Sequence, residues 1–473
     1  MELFGLTKEQ RRIIVIILLT VLIASLDQTI VATAMPTIIT DLGGLESMGL
    51  VFGAYMAASI ITITISGKLG DIFGRKKLYI AGILLFTIGS FLCGFSENMT
   101  MLIAFRAMQG FGAGIFMVLS MAMMGDLFPP RERGKWISLI AAVYGIASIF
   151  GPILGAVITE SFGWRWVFYV NVPIGIFTMW LFNKTPYKQK LLGKSNIDFL
   201  GCILFAIFAV SFMSYTEMGL WPLSSKMIAV IGIMLISLFL FIRQEHKAPE
   251  AILPSYLFKN QIFILSSICC CILSVALFGI IAFVPQYVQI ILGGGAMDAG
   301  KALTPLMLSA VISAIAVGQI TSRTGKYKLI GIIATILVCI GVYLLANIGE
   351  GASYNEILIA LSILGIGLGP QNYIYTLMVQ NAFDNTKVGV ATSGITFFRN
   401  FGAAFGVSMM GAIINLSGGV TVILTDADKL SYIHGLQTSF LFCLILSIFC
   451  VFLFLKIKEI PLRTTNKKEV NLA

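Results

Sequence analysis

Ile13–Ala34 reads IIVIILLTVLIASLDQTIVATA, a run of 22 residues whose only charge is Asp27. As an α-helix rising 1.5 Å per residue it spans about 33 Å, enough to cross a hydrocarbon core of about 30 Å. The run is too long for a signal peptide, carries Asp27 and Gln28, and has no convincing cleavage site after it, so it is expected to stay as a first membrane span. Outward from this stretch, apolar runs of about 20 residues recur through the chain. The 473 residues are 58% hydrophobic and 11% charged, with a mean hydropathy of +0.95. A soluble domain carries roughly 25% charge, so the solvent for most of this chain is lipid. A β-barrel would need alternating segments of about 10 residues, which are missing. The expectation is an all-α polytopic membrane protein with fourteen transmembrane helices.

The net charge of +10 is a matter of location. Of the 32 Lys and Arg, only Arg165, Lys226, Lys301 and Lys429 fall on one side of the expected spans, and only Arg106 and Arg399 within them. The remainder share the side of both termini, which the positive-inside rule makes cytoplasmic. No basic run is interleaved with stacking aromatics outside the membrane, so nucleic acid is not expected as a partner. The eight Cys all lie in apolar runs without metal-ligand spacing, and the two His, His246 and His434, lie in or beside loops. No metal and no cofactor is expected. Walker, HExxH and Ser/His/Asp patterns are missing too, which argues against an enzyme and against ATP as a driving force.

The chain repeats itself. Gly67-Lys68-Leu69-Gly70-Asp71-Ile72-Phe73-Gly74-Arg75 is echoed by Gly318 to Lys326 at an offset of 251. Gly110, Gly112 and Gly114 recur as Gly365, Gly367 and Gly369 at 255, and Gly151 and Gly155 as Gly402 and Gly406 at 251. Three matches in order argue for duplication. They divide the chain into an amino-terminal six-helix bundle (1–184), two inserted helices (185–255) and a carboxy-terminal six-helix bundle with a tail (256–473). Parallel halves of this kind place a binding cavity between them near the midplane.

Charges inside apolar spans are the candidate functional residues. A carboxylate there costs about 2.5–3.5 kcal/mol on insertion scales and calls for a compensating role. Asp27 lies about 21 Å into span 1 and Arg106 about 9 Å below the opposite surface in span 4, the same depth. The two are therefore expected to communicate, directly or through Gln109. Arg399 falls near mid-membrane with no acid at its depth in the carboxy-terminal half. Gln371, Asn372, Tyr373, Tyr375, Gln380 and Asn381 make the inner half of span 12 polar, the pattern of a water-filled cavity wall. With Asp27, Gln28, Gln109 and Arg399, the residues Gln371, Asn372 and Tyr375 are the candidates to line a substrate cavity.

These stretches resemble the major facilitator superfamily, and within it the 14-span drug:proton antiporter family, over essentially the whole chain. Gly67, Leu69, Asp71, Gly74, Arg75 and Lys76 resemble motif A, with Ile72 where arginine is usual and Tyr79 where leucine is. The implied role is a cytoplasmic gate in which Asp71 pairs with basic residues and faces a helix amino terminus in one state. Leu102, Arg106, Gln109, Gly110 and Gly112 resemble motif B, whose arginine is implicated in proton transfer; Leu361 occupies the corresponding place in the second half. Gly145, Gly151, Pro152 and Gly155 resemble motif C, the antiporter signature. Leu26 to Thr29 through Pro36, Phe162 to Phe168 with Asn171, Pro173 and Gly175, and Arg399-Asn400-Phe401-Gly402 resemble landmarks of the 14-span family.

The resemblance implies a major facilitator fold and a proton-driven antiporter in a bacterial plasma membrane. It implies Asp27 and Arg106 as proton-coupling residues, protons and small lipophilic or cationic compounds as ligands, and a monomer as the working unit. Asp27 is the only clear intramembrane acid, which favours monovalent or zwitterionic lipophiles over dications. A dedicated exporter of one metabolite, lipid, antibiotic or metal chelate is the competing expectation. A membrane sensor or membrane enzyme would leave Asp27 and Arg106 unexplained.

Overall fold

In the computed structural model the described residues are 6–128, 130–187, 198–217, 224–248, 251, 253–349, 352–383, 387–416 and 426–461. Among them every regular element is helical: α1 Lys8–Leu42, α2 Met48–Phe73, α3 Arg75–Gly94, α4 Met99–Leu127, α5 Pro130–Phe162, α6 Arg165–Asn183, α7 Phe199–Glu217. The chain continues through α8 Ser225–Lys247, α9 Gln261–Ile291, α10 Ala296–Thr324, α11 Lys328–Ala346, α12 Tyr354–Ala382, α13 Val388–Leu416 and α14 Asp426–Lys456. Thirteen are continuous spans by length and apolarity, and α2 becomes the fourteenth when its two parts, bent by 44°, are taken together. Several helices outrun their apolar cores. α1 begins five residues before the apolar run Ile13–Ala34, where Thr7 and Gln10 form a reciprocal capping box. Breaks fall where the backbone loses a donor or a turn is needed: α9 ends in a π turn, Tyr287–Ile291, just after Pro285, and Gly74 joins α2 to α3 with φ of 96°.

Lipid provides no hydrophobic drive between helices, so close backbone approach does the holding. The repeated glycines mark those approaches in both halves. A Cβ on Gly110 would lie 2.2 Å from the Tyr55 carbonyl of α2, and one on Gly112 would lie 2.5 Å from the Gly82 carbonyl of α3. Gly365 and Gly367 stand likewise against Leu306 of α10 and Ala334 of α11. Gly151 and Gly155 of α5 abut Thr29, Ile30 and Thr33 of α1, while Gly402 and Gly406 of α13 abut Cys271 and Val275 of α9. The two six-helix bundles are thus built on the same contacts.

The inserted helix α7 lies along α2 and α13 and is fastened by aromatic rings. Phe405 sits 4.4 Å from Phe212, 5.5 Å from Phe208 and 4.0 Å from Phe401, and Phe205 sits 5.2 Å from Phe397, by ring centroids. The bundles meet mainly in the half of the molecule away from the termini. There the Met297 amide donates to Glu160 Oε1 (2.7 Å), Gln289 Nε2 donates to the Thr33 carbonyl (3.1 Å), and Gly49 and Gly53 press on Val407 and Ser408.

Candidate functional site

Asp27 and Arg106 meet. Arg106 Nη1 donates to Asp27 Oδ2 at 2.5 Å, and each residue is 1% exposed. The second carboxylate oxygen, Oδ1, accepts from Gln109 Nε2 at 2.7 Å and from Asn171 Nδ2 at 3.1 Å. Ser90 Oγ accepts from the same two amides at 3.0 Å each and donates to the Phe168 carbonyl at 3.0 Å. Gln109 Oε1 in turn accepts from Arg106 Nη1 at 2.6 Å. The guanidinium lies 4.3 Å over the Tyr55 ring, a cation–π contact, and Nε reaches toward the Val51 carbonyl at 3.4 Å.

Local packing sets this geometry. A Cβ on Gly89 would lie 2.7 Å from the Gln109 amide nitrogen, so the absence of a side chain lets α3 and α4 close until Ser90 reaches Gln109. Gly110 does the same between α4 and α2, setting Arg106 over Tyr55. The helical hydrogen-bond run of α6 is interrupted at Val170, between the segments Arg165–Tyr169 and Asn171–Asn183, and Asn171 opens the second segment facing Asp27. The result is a closed network from four helices of one bundle, with each Asp27 oxygen satisfied by donors. Burial at this depth is tolerable because the charge is paired and hydrogen-bonded.

The other candidates are spread out. Gln28, next on α1, points to α5, where the Tyr144 hydroxyl donates to its Oε1 at 3.2 Å. Arg399 is partly buried on α13, within electrostatic range of Tyr144 of α5 and Cys270 of α9. Among the described residues it makes no hydrogen bond and enters no ion pair.

The cavity-wall expectation for span 12 does not match what its side chains do. Gln371 is 3% exposed and donates to the Thr335 hydroxyl at 3.0 Å on α11, and Tyr375 is 1% exposed with its ring 5.8 Å from Phe454 of α14. Their polarity lies inside the carboxy-terminal bundle, because the helical period turns positions 371 and 375, one turn apart, to the same packed face. Asn381 is tied to the Ile460 and Pro461 carbonyls, and the exposed Gln380 donates to Thr392 at 3.3 Å. The side chain of Asn372 lies outside the described residues.

At the termini end, Arg75 Nη2 donates to Asp71 Oδ1 at 2.8 Å, and Nη1 pairs with Asp126 Oδ1 at 2.6 Å. The Tyr187 hydroxyl also donates to Asp126; burial, with the carboxylate beside it, raises the phenol above its ordinary value and keeps it a donor. Lys76 holds the Asn183 and Thr185 carbonyls at 3.1 and 2.8 Å. The contacts of Asp71 described here are within its own bundle. Gly67 is under no steric pressure, with Val118 3.8 Å from a Cβ placed on it. Motif C divides its contacts: Gly151 and Gly155 face α1, whereas Gly145 and Pro152 face Val311 and Gly300 of α10, across the seam between bundles.

Ser90, Tyr55 and Tyr144 were not anticipated from sequence, and Asn171 was noted only as a family landmark. Asn171 had a usable signal. It stands six residues inside the Arg165 end of its span, about 9 Å deep, the depth of Arg106.

Comparison with known proteins fits this geometry. The profile of the Major Facilitator Superfamily matches residues 17–407. Multidrug transporter protein MdtP of Bacillus subtilis (strain 168) is 36% identical over 425 residues, covering 89% of this chain and 78% of the relative. Multidrug resistance protein 3 of the same organism is 35% identical over 401 residues, covering 84% and 78%. Among solved structures, a bacterial homolog of the human lysosomal transporter Spinster, inward-facing and unoccupied, aligns with a TM-score of 0.70 at 13% identity, covering 95% of this chain and 97% of that one.

Proposed function

We propose, on the premise that this chain belongs to the Major Facilitator Superfamily and is a membrane transporter rather than an enzyme, that it exports lipophilic, often cationic, compounds in exchange for protons. The observation that carries the reading is the buried Asp27–Arg106 pair with its amide donors. An ionisable pair so deep in lipid marks a proton or substrate pathway by default. Protonation of Asp27 would release Arg106 and the two amides together, and so supplies a two-state element that a proton can bias. The seam of α5 against α10, where Gly145 and Pro152 meet Val311 and Gly300, supports relative movement of the bundles, residues 1–184 and 256–473 with 185–255 inserted between them. The relatives named as multidrug proteins support breadth of substrate.

In this reading both termini are cytoplasmic, in a bacterial plasma membrane, which puts the interbundle contacts toward the outer face. The motif A cluster of Asp71, Arg75 and Asp126 is then the cytoplasmic gate, held within one bundle while the outer side is closed. The monomer is the working unit, and the proton gradient drives it without a prosthetic group.

The test uses inverted vesicles with an imposed inside-acid gradient and added cationic dyes. Dye-dependent proton release through the wild type, lost in Asp27→Asn, is the expected result. A normally coupled Asp27→Asn variant would overturn the mechanism. Silence with dyes but exchange with a single other solute would replace multidrug export by a dedicated exporter.

A further inference from the structure

The intramembrane charges do not balance. Asp27 and Arg106 neutralise one another inside the amino-terminal bundle, and three donors occupy the carboxylate. An approaching cation therefore meets no free acid there. Arg399 is different. It is about 11 residues into α13, roughly 16 Å along the helix from its start. Its side chain is partly exposed, and the described groups in electrostatic range of it, Tyr144 of the other bundle and Cys270 of its own, are neutral. The ion pairs among the described residues are Arg75 with Asp71 and Asp126, Arg106 with Asp27, Arg165 with Asp41, and Lys301 with Asp298. Arg399 is in none of them. A guanidinium at this depth, uncompensated by protein, requires water or a ligand for its charge.

Resting on the transport reading above, we infer that Arg399 is the recognition point for an anionic group, a carboxylate above all, carried by an otherwise lipophilic substrate. A guanidinium fork matches the two oxygens of a carboxylate in one plane. Gln28, with the Tyr144 hydroxyl bonded to it, offers neutral hydrogen-bonding groups from the opposite bundle. The ligand would thus bridge Arg399 of one half and the Gln28–Tyr144 pair of the other, and neutralise the charge while the bundles enclose it. Substrates preferred by this site are zwitterions and monoanions with a flat apolar body, and esterification of the carboxylate is the change that should matter most.

The experiment compares rhodamine B, which carries a free carboxylate, with its ethyl ester. Equilibrium binding to the full-length protein in lipid nanodiscs is followed by fluorescence anisotropy with no pH gradient. A charge-assisted hydrogen bond corresponds to about tenfold or more in affinity, so the wild type should favour the acid over the ester by about that factor. Arg399→Gln should bring the ratio close to one, and Arg399→Lys should retain part of it, which also controls for folding. A wild-type ratio near one, an unchanged ratio in Arg399→Gln, or no saturable binding of the acid overturns the inference. The readout is independent of coupling: an intact ratio without proton exchange would sink antiport alone, and coupled transport with a ratio near one would sink this inference alone.

Discussion

Replacing Arg106 with Leu should be among the most damaging single changes in the amino-terminal bundle, and its damage should be largely reversible by a second change. The substitution leaves Asp27 with the Gln109 and Asn171 amides but without a counter-charge, in a place 1% exposed. Stripping one partner from a buried pair costs about 3–5 kcal/mol, whereas replacing both by neutral groups is often close to neutral. Asp27→Asn alone strands the guanidinium, at a cost of the same order. Thermal unfolding of detergent-purified protein, followed by loss of the monodisperse peak, gives the four corners of a double-mutant cycle. The double variant Asp27→Asn/Arg106→Leu should return to within about 1–2 kcal/mol of wild type, an interaction energy above about 2 kcal/mol. Transport should fail in all three variants, and exchanging the two residues should restore part of the coupling if the contact itself is what matters. Stabilities that add within about 0.5 kcal/mol would refute the reasoning, since the two side chains would then not share the energy that a 2.5 Å pair implies.

Three further outcomes follow from the packing. Gly155→Ala should abolish folded yield, because its Cβ would fall 2.6 Å from the Ile30 carbonyl, whereas Gly145→Ala, whose Cβ would meet Val311 at 3.5 Å, should express and purify as wild type. Phe405→Ala removes the two ring contacts, with Phe208 and Phe212, by which it fastens α7 to α13; at roughly 0.5–1.5 kcal/mol per aromatic pair, a lowered melting temperature in detergent is expected, and an unchanged one would mean the inserted pair is held elsewhere. Tyr187→Phe removes the hydroxyl that donates to Asp126, so limited proteolysis within 185–197 should quicken while Asp126 keeps its Arg75 partner; equal cleavage rates would show the tether to be idle.

The parts of the site that could be read from sequence are those where chemistry is expensive. Asp27 and Arg106 stand out because a charge within an apolar run carries a cost of kilocalories, and simple helix arithmetic puts them at one depth. Ser90 carries little such cost, so nothing in a one-dimensional reading raises it above other polar residues until α3 is placed beside α1 and α4, while Asn171 has only its matching depth to mark it. Gln371 and Tyr375 of span 12 lie on a packed face for a related reason. A polar stripe says that a face is polar, while only the neighbouring helices say whether it meets water or, as for Gln371, the hydroxyl of Thr335. Gly110, Gly112, Gly155, Gly365, Gly367 and Gly402 were the more reliable guide to fold, since each marks a backbone approach that a side chain would obstruct, whereas Gly67, Gly145 and Gly318 do not.

Those contacts also expose an asymmetry that residue counting alone had hidden. Gly151 packs on Thr29 and Gly402 on Cys271, which relates α1 to α9 by an offset of 242 rather than the 251 that relates α5 to α13. With this register Asp27 corresponds to Cys269. By the offsets of their own helices, Arg106 and Gln109 correspond to Leu361 and Leu364, and Ser90 to Val342. All four counterparts are fully buried. The same scaffold therefore holds a charged network in one half where the other has the uncharged side chains of Cys269, Val342, Leu361 and Leu364. On the proposed antiport, a proton that reorganises the first half has no equivalent site in the second, whose intramembrane charge, Arg399, lies within electrostatic range of Tyr144 of the first. In that proposal, coupling between proton and substrate passes across the seam rather than arising twice by symmetry. Gln28, Tyr144 and the α10-facing part of motif C are the seam residues on which that proposal places the coupling.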